Sequence, residues 1–189
     1  LDSVGKGESK MNMKIATPVD IVSRYNVGFM RTKVYDETLE LAWKNLKNIL
    51  VSDTMVVADG SGSMTVPVSS NTTALDVANA LAIYTSEHNS GVYKNKYITF
   101  SNTPKFVDLT DRHTLRDKLM TSRKYHEIAN TNIEAVFKLI LEVAIKNEIA
   151  SDEMIDNILI ISDMEFDAAQ RNPYKSLDRK SGSAGMPRP

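Results

Sequence analysis

Apolar and polar positions along this chain switch between two periods, and the switches mark out its elements. Apolar runs at 54–58, 96–100 and 156–162 have the length and β-branched content of buried strands. Between them the period lengthens. Leu39, Trp43, Leu46 and Leu50 share one face of a helix predicted over about 37–50, with Asp36 placed to cap it. Residues 73–88 predict a helix whose apolar positions (Leu75, Ala78, Leu81, Ala82, Tyr84) nearly encircle it, so it should be deeply buried. A further helix is expected over about 111–120. Asn130-Thr131-Asn132 then opens a long one to about 147, with Ile133, Val136, Phe137, Ile140, Leu141 and Ala144 at helical spacing. Asn102-Thr103-Pro104 turns the chain so that 105–109 can return as a short antiparallel edge strand.

Strands and helices in alternation predict an α/β fold, a doubly wound and mostly parallel sheet with helices on both faces. In such sheets ligands bind beyond the carboxyl ends of the strands, where the winding direction switches. Residues 1–35, Gly/Ser/Lys-rich at their start, are expected to be a flexible lead-in to a domain over 36–167. Residues 168–189 hold no strand-like apolar run and are expected to form a poorly structured tail or a truncated continuation. If 156–162 is the last strand, its apolar edge lacks the charges or prolines that protect exposed edges. The isolated chain should then be marginally stable or self-associating.

Composition narrows the function classes. With 189 residues and 42% hydrophobic content, one domain with a proper core is expected. A net charge of −1 argues against a broad electrostatic grip on nucleic acid or membrane. The basic cluster of Arg112, Arg116, Lys118, Arg123 and Lys124 reads as a solvated helix face. Without cysteine there is no disulfide, thiol catalysis or Cys-type zinc site. No apolar run approaches the roughly 20 residues of a membrane span, and no signal peptide opens the chain. The expected compartment is the cytoplasm. The first residue is Leu, which fits a piece of something longer.

The candidate chemistry sits at the end of the first strand, in Val56-Val57-Ala58-Asp59-Gly60-Ser61-Gly62-Ser63-Met64. Residues leaving a strand end on alternate positions can aim their side chains into one crevice, so Asp59, Ser61 and Ser63 can converge. Gly60 and Gly62 would let the backbone curl around that point. Three hard oxygen ligands suit Mg²⁺ or Mn²⁺.

Taken with Thr131 in a loop before a helix, and Asp163 closing the apolar run 158–161, this pattern resembles the metal-ion-dependent adhesion site of von Willebrand factor A domains. Order and spacing match over about residues 53–167. Asp163-Met-Glu-Phe-Asp167, Tyr97-Ile-Thr-Phe-Ser101 and residues 80–87 are similar to the intracellular A-type domains of TROVE-like proteins, which include the Ro RNA-binding proteins. The resemblance implies a divalent ion held by Asp59, Ser61, Ser63 and Thr131, with Asp163 acting through water. It also implies two further strands after the Asp163 region, where this chain ends in a Gly/Ser/Pro-rich stretch. Nothing here resembles the helical-repeat ring with which Ro proteins bind RNA, so an RNA-associated role would belong to a neighbouring domain.

Only two of these five residues are charged, so a bound dication would remain poorly neutralised and would seek an anionic oxygen from outside. The expectation is a non-enzymatic binding module that captures an Asp or Glu carboxylate of a protein partner. The alternative is a haloacid-dehalogenase-type phosphotransferase, in which Asp59 would be nucleophile and a second Asp two residues on would be general acid. That position is Ser61, which cannot donate a proton near neutral pH, although Lys146 is available for a phosphate. His88, His113 and His126 stand too far apart for a His-x-x-x-His pair and read as surface or capping residues. Glu165 and Asp167 could extend the outer shell of the metal.

Overall fold

The computed structural model describes residues 16–25, 34–101, 103–125 and 133–163. Its centre is β1 (Thr54–Ala58), five residues with no charge and four of them buried. On one side β1 pairs in parallel with β4 (Lys96–Thr99), and on the other with β6 (Asn157–Ile161). β5 (Phe106–Asp108) returns antiparallel to β4, giving the order β5-β4-β1-β6. The described residues therefore form an α/β fold with a mostly parallel four-stranded sheet, and the antiparallel strand lies at one edge of it as expected. A two-stranded hairpin, β2 (Pro67–Ser69) with β3 (Thr72–Thr73), follows the Gly/Ser loop and was not predicted.

Side chains alternating along β1 divide the core in two. Val56 and Ala58 face one layer, with α1 (Pro18–Tyr25), α2 (Glu37–Lys44), α3 (Ala74–His88) and α4 (Leu115–Ser122). Met55 and Val57 face the other, with Val136 and Ile140 of α5 (Ile133–Lys146). As its all-round apolar pattern predicts, α3 buries Ala78, Ala80, Ala82, Ile83 and Tyr84. Its start is fixed by a capping box in which Thr73 and Asp76 exchange hydrogen bonds.

Several expectations need correction. The lead-in is not flexible throughout, because Pro18–Tyr25 forms α1 and buries Ile21, Val22 and Tyr25 against the core. Its signal was in the sequence: Thr17 and Asp20 cap the helix reciprocally, and Pro18 stands at the first helical position. The helix expected over 37–50 keeps its Asp36 cap, whose Oδ1 accepts from the Leu39 amide at 3.0 Å, but ends at Lys44. Leu46 and Leu50 still pack on the core from the following irregular segment. The helix expected over 111–120 is shifted to Leu115–Ser122, because Thr114 accepts from the Asp117 amide and sets the cap. Within the basic cluster Lys118 is buried, with its Nζ 2.5 Å from Glu87 Oε1, so it is not part of a solvated face. The long helix buries Val136, Ile140 and Ala144 but leaves Phe137 and Leu141 half exposed.

Two side chains tie distant segments together. Glu40, 2% exposed, accepts from the amides of Leu115 and Arg116 at the start of α4 and from the hydroxyl of Tyr25 in α1. Burial, and then the hydrogen bond to Glu40, hold the Tyr25 hydroxyl protonated well above the usual tyrosine range. Asn89 caps the amino end of β1: its Oδ1 accepts from Thr54 N and its Nδ2 donates to Thr54 O, both at 2.9 Å. If α1 is a core element, Ile21→Ala should cost about as much as Ile83→Ala in α3, roughly 2–5 kcal/mol each. Urea unfolding checks this, and a loss near zero for Ile21→Ala would return α1 to the status of a lead-in.

Candidate functional site

The carboxyl end of β1 lies between two strands that run the same way. Ladder hydrogen bonds continue just past its last residue: Asp59 N donates to Ile161 O, and Phe100 N donates to Ala58 O, both at 2.9 Å. Asp59 is thereby fixed at the middle of the sheet edge. The chain reaches β4 through α3 on one face, and β6 follows α5 on the other. The crevice at Asp59 is therefore where the winding reverses.

The loop after Asp59 is shaped by Met64, which drives into the core and is 1% exposed. With Met64 anchored, Gly62–Thr65 closes into a 3₁₀ turn, in which Met64 N donates to Ser61 O. This turn holds Ser61 Oγ and Ser63 Oγ 2.9 Å apart. The Ser61 amide donates to Asp59 Oδ1 at 2.8 Å, the local turn that Asp favours. Glycine freedom is not needed at Gly62. Gly62 has no positive φ, and a Cβ there would meet nothing within 4 Å.

Three of the five predicted residues, Asp59, Ser61 and Ser63, are thus linked by hydrogen bonds. Asp163 directly follows Ser162 at the carboxyl end of β6 and is half-buried, and Thr131 lies outside the described residues, as do His126, Glu165 and Asp167. Ser162 was missed: its hydroxyl donates to Asp59 Oδ2 at 2.8 Å. The parallel register that sets Ala58 opposite Ile161 puts Asp59 opposite Ser162, so only the strand pairing could have revealed this contact. Ser101, just past β4 at the same sheet edge, is buried, and among the described residues its Oγ has no hydrogen-bond partner. Strand alternation places it on the α3 side, away from the face that Asp59 shares with Met55 and Val57.

Asp59 is 5% exposed, and its donors among the described residues, a backbone amide and a hydroxyl, are neutral. Among the described residues no Lys, Arg or His forms an ion pair with it. A buried carboxylate without a cation is costly, and among the described residues each of its oxygens accepts a single hydrogen bond. The donor set fits a hard dication in kind: one carboxylate and two hydroxyls. Among the described residues no group of three or more His, Cys, Asp and Glu is arranged to hold a metal, so an ion here would depend on the serines.

A cavity of about 280 Å³ lies elsewhere, lined by Glu40, Trp43, Glu87, His88, His113 and Lys118 among others. None of Asp59, Ser61, Ser63 and Asp163 borders it. Its polar groups are largely used: Glu87 accepts from Trp43 Nε1 and Lys118 Nζ, and His88 Nδ1 is 2.7 Å from Tyr84 O. The structural reading of His88 stands, with its ring packed on that of Tyr84.

Comparison with known proteins places this sequence in a family. A family model described as a domain of unknown function, DUF7788, matches residues 53–184. The chain belongs to the DUF7788 family. The match begins one residue before β1 and takes in the whole Asp59 loop. The uncharacterized protein L728 of Acanthamoeba polyphaga mimivirus is similar to 98% of this chain, 31% identical over 195 residues. The chain spans about a third of that relative's length (32%). No solved structure matches. Among the described residues no helix is long and apolar enough to cross a membrane.

The hydrogen-bond pattern sets an expected outcome. Ser162→Ala removes a donor to a buried carboxylate and should cost about 1–3 kcal/mol of stability. Gly62→Ala should stay within about 0.5 kcal/mol. Equal denaturant midpoints for both variants would mean that the Ser162 bond contributes nothing.

Proposed function

We propose that this DUF7788 chain is a von Willebrand factor A-like domain of the doubly wound type. In this reading it binds Mg²⁺ or Mn²⁺ through Asp59, Ser61 and Ser63, with Thr131 and Asp163 completing the set. The observation that carries the reading is the Asp59 carboxylate: it is buried, held by neutral donors, and bordered by two serine hydroxyls at the carboxyl end of the central strand. A dication would supply the missing positive charge. Because the serines are neutral, it would retain unsatisfied charge and attract an Asp or Glu carboxylate of a protein partner. In this reading the chain is a non-enzymatic, intracellular binding module.

Each residue has a distinct task. Asp59 supplies the charge, and the 3₁₀ turn pre-positions the two hydroxyls so that little ordering is left for binding. Ser162 orients the Asp59 carboxylate through Oδ2 and leaves the other lone pairs available. Titration with Mn²⁺, followed by electron paramagnetic resonance, should show one saturable site. Asp59→Ala should abolish it, and Ser61→Ala and Ser63→Ala should each weaken it roughly tenfold, about 1.4 kcal/mol. Unaltered Mn²⁺ affinity in Asp59→Ala would overturn the assignment. So would metal-dependent hydrolysis of a phosphomonoester lost in Asp59→Asn, in favour of the phosphotransferase.

A further inference from the structure

The cavity beside Trp43 lies at the opposite edge of the sheet from Asp59. α3 ends at His88 on its wall, and the next residue, Asn89, caps the amino end of β1. The carboxyl half of α2 and the start of α4 close the other sides. All nine wall residues are described, and none of them flanks an undescribed segment.

The carboxylates of this wall are spent. Glu40 accepts from two amides of α4 and from Tyr25, and Glu87 accepts from the Trp43 indole and Lys118. What remains unspent is basic. Lys118 is 9% exposed and has three N–H donors, of which one goes to Glu87 Oε1. Among the described residues no second acceptor meets its Nζ. A buried ammonium with two unanswered donors is costly, and an oxygen entering the cavity would answer them. Lys44 and His113, both exposed, add two more basic groups to the wall.

His88 adds a donor that depends on its proton. Its Nδ1 lies 2.7 Å from Tyr84 O, and a carbonyl oxygen only accepts, so Nδ1 carries the hydrogen. Packing on Tyr84, with centroids 4.5 Å apart, holds the ring in that orientation. Nε2 is then an acceptor in the neutral ring and a donor in the charged one. The charged and titratable groups around His88 are Tyr84 and Glu87 on its own helix, Glu40 and Lys44 of α2, Lys118 of α4, and His113. With both imidazoles neutral, the two carboxylates and two ammonium groups cancel. An anion added to that balance would draw a proton onto His88.

We infer that the cavity binds a small organic anion. Its carboxylate or phosphate group would meet Lys118, with Lys44 and protonated His88 answering the charge. Its apolar body would lie against Trp43, Leu46 and Leu115. The volume of about 280 Å³ is just below the roughly 300–1,000 Å³ of drug-sized sites, which suits one ring or a short chain. A metal ion fits less well. Both carboxylates are already engaged, and among the described residues no group of three His, Cys, Asp and Glu is arranged to hold one.

Trp43 is the single tryptophan of the chain, so its fluorescence reports on this cavity alone. Benzoate is the probe, because its charge stays fixed from about pH 6 to 8, and benzamide is its neutral counterpart. Titration of the full chain at about pH 6 should give a saturable change, with benzoate about tenfold tighter than benzamide or better. Affinity should fall roughly tenfold by about pH 8. His88→Gln should flatten that profile, and the exposed His113→Gln should preserve it. Lys44→Gln, also at an exposed position, should weaken binding about threefold. Lys118→Met should abolish it, and combining it with Glu87→Gln avoids an unpaired carboxylate, with folding verified by circular dichroism. Absence of any saturable change in fluorescence or calorimetric heat would overturn the proposal. So would equal affinity for benzamide, a pH profile retained in His88→Gln, or binding unaltered by both lysine substitutions.

Discussion

The parallel pairing of β1 with both neighbours is the constraint on which the rest depends. Those five residues divide the core into two layers, and their ladder continues one residue further to hold the Asp59 amide on Ile161. The candidate site is therefore not a loop resting on a fold. Its one buried carboxylate is the next residue of the most buried strand, and Met64 returns the loop to the core five residues later. Rigidity at such a point comes from apolar burial beneath it and needs no disulfide or ion pair.

This arrangement separates two kinds of polar burial. Glu40 and Glu87 are buried or half-buried and answered by amides, a tyrosine hydroxyl, an indole and a lysine, and both join helices to one another. Asp59 is answered by one amide and one hydroxyl. The first two carboxylates fit a purely structural role. The third joins no helices: among the described residues it takes one donor fewer than Glu40 and lacks the lysine of Glu87, and for a cation that contrast directs attention to the sheet edge rather than to the cavity beside Trp43.

Strands were the most legible part of the sequence, because a run buried on both faces has few other readings: 54–58 was read to the residue, and 96–100 and 156–162 to within one residue at an end. Helix ends were legible where a cap was recognised, as at Asp36, and misplaced where a cap was overlooked, as at Thr114 and in the Thr17-Pro18-Val19-Asp20 start of α1. The last turns expected after Lys44 failed because apolar spacing persists there without helical backbone: Leu46 and Leu50 reach the core from an irregular segment. Within the site, Asp59, Ser61 and Ser63 were visible as spacing. Ser162 was not, since its role depends on a register formed by residues about a hundred positions apart. The exposure of Phe137 and Leu141 was likewise invisible, because helical periodicity shows an apolar face but not how wide a partner covers it.

Asn89 carries one more consequence. A parallel strand with apolar residues on both faces is poorly defended against sliding, since Met55, Val56 and Val57 would each find an apolar layer after a one-residue shift. Asn89, by taking both backbone groups of Thr54, acts as an end stop at the start of the strand, and the Ser162–Asp59 contact is the matching stop at its finish. A slipped strand would carry Asp59 into the hydrocarbon layer or withdraw it from the crevice. The amide of one asparagine at the far end of the sheet, together with the bonds from Asp156 and Asn157 to Asp53 O, therefore helps to set the register that brings the carboxylate to its crevice.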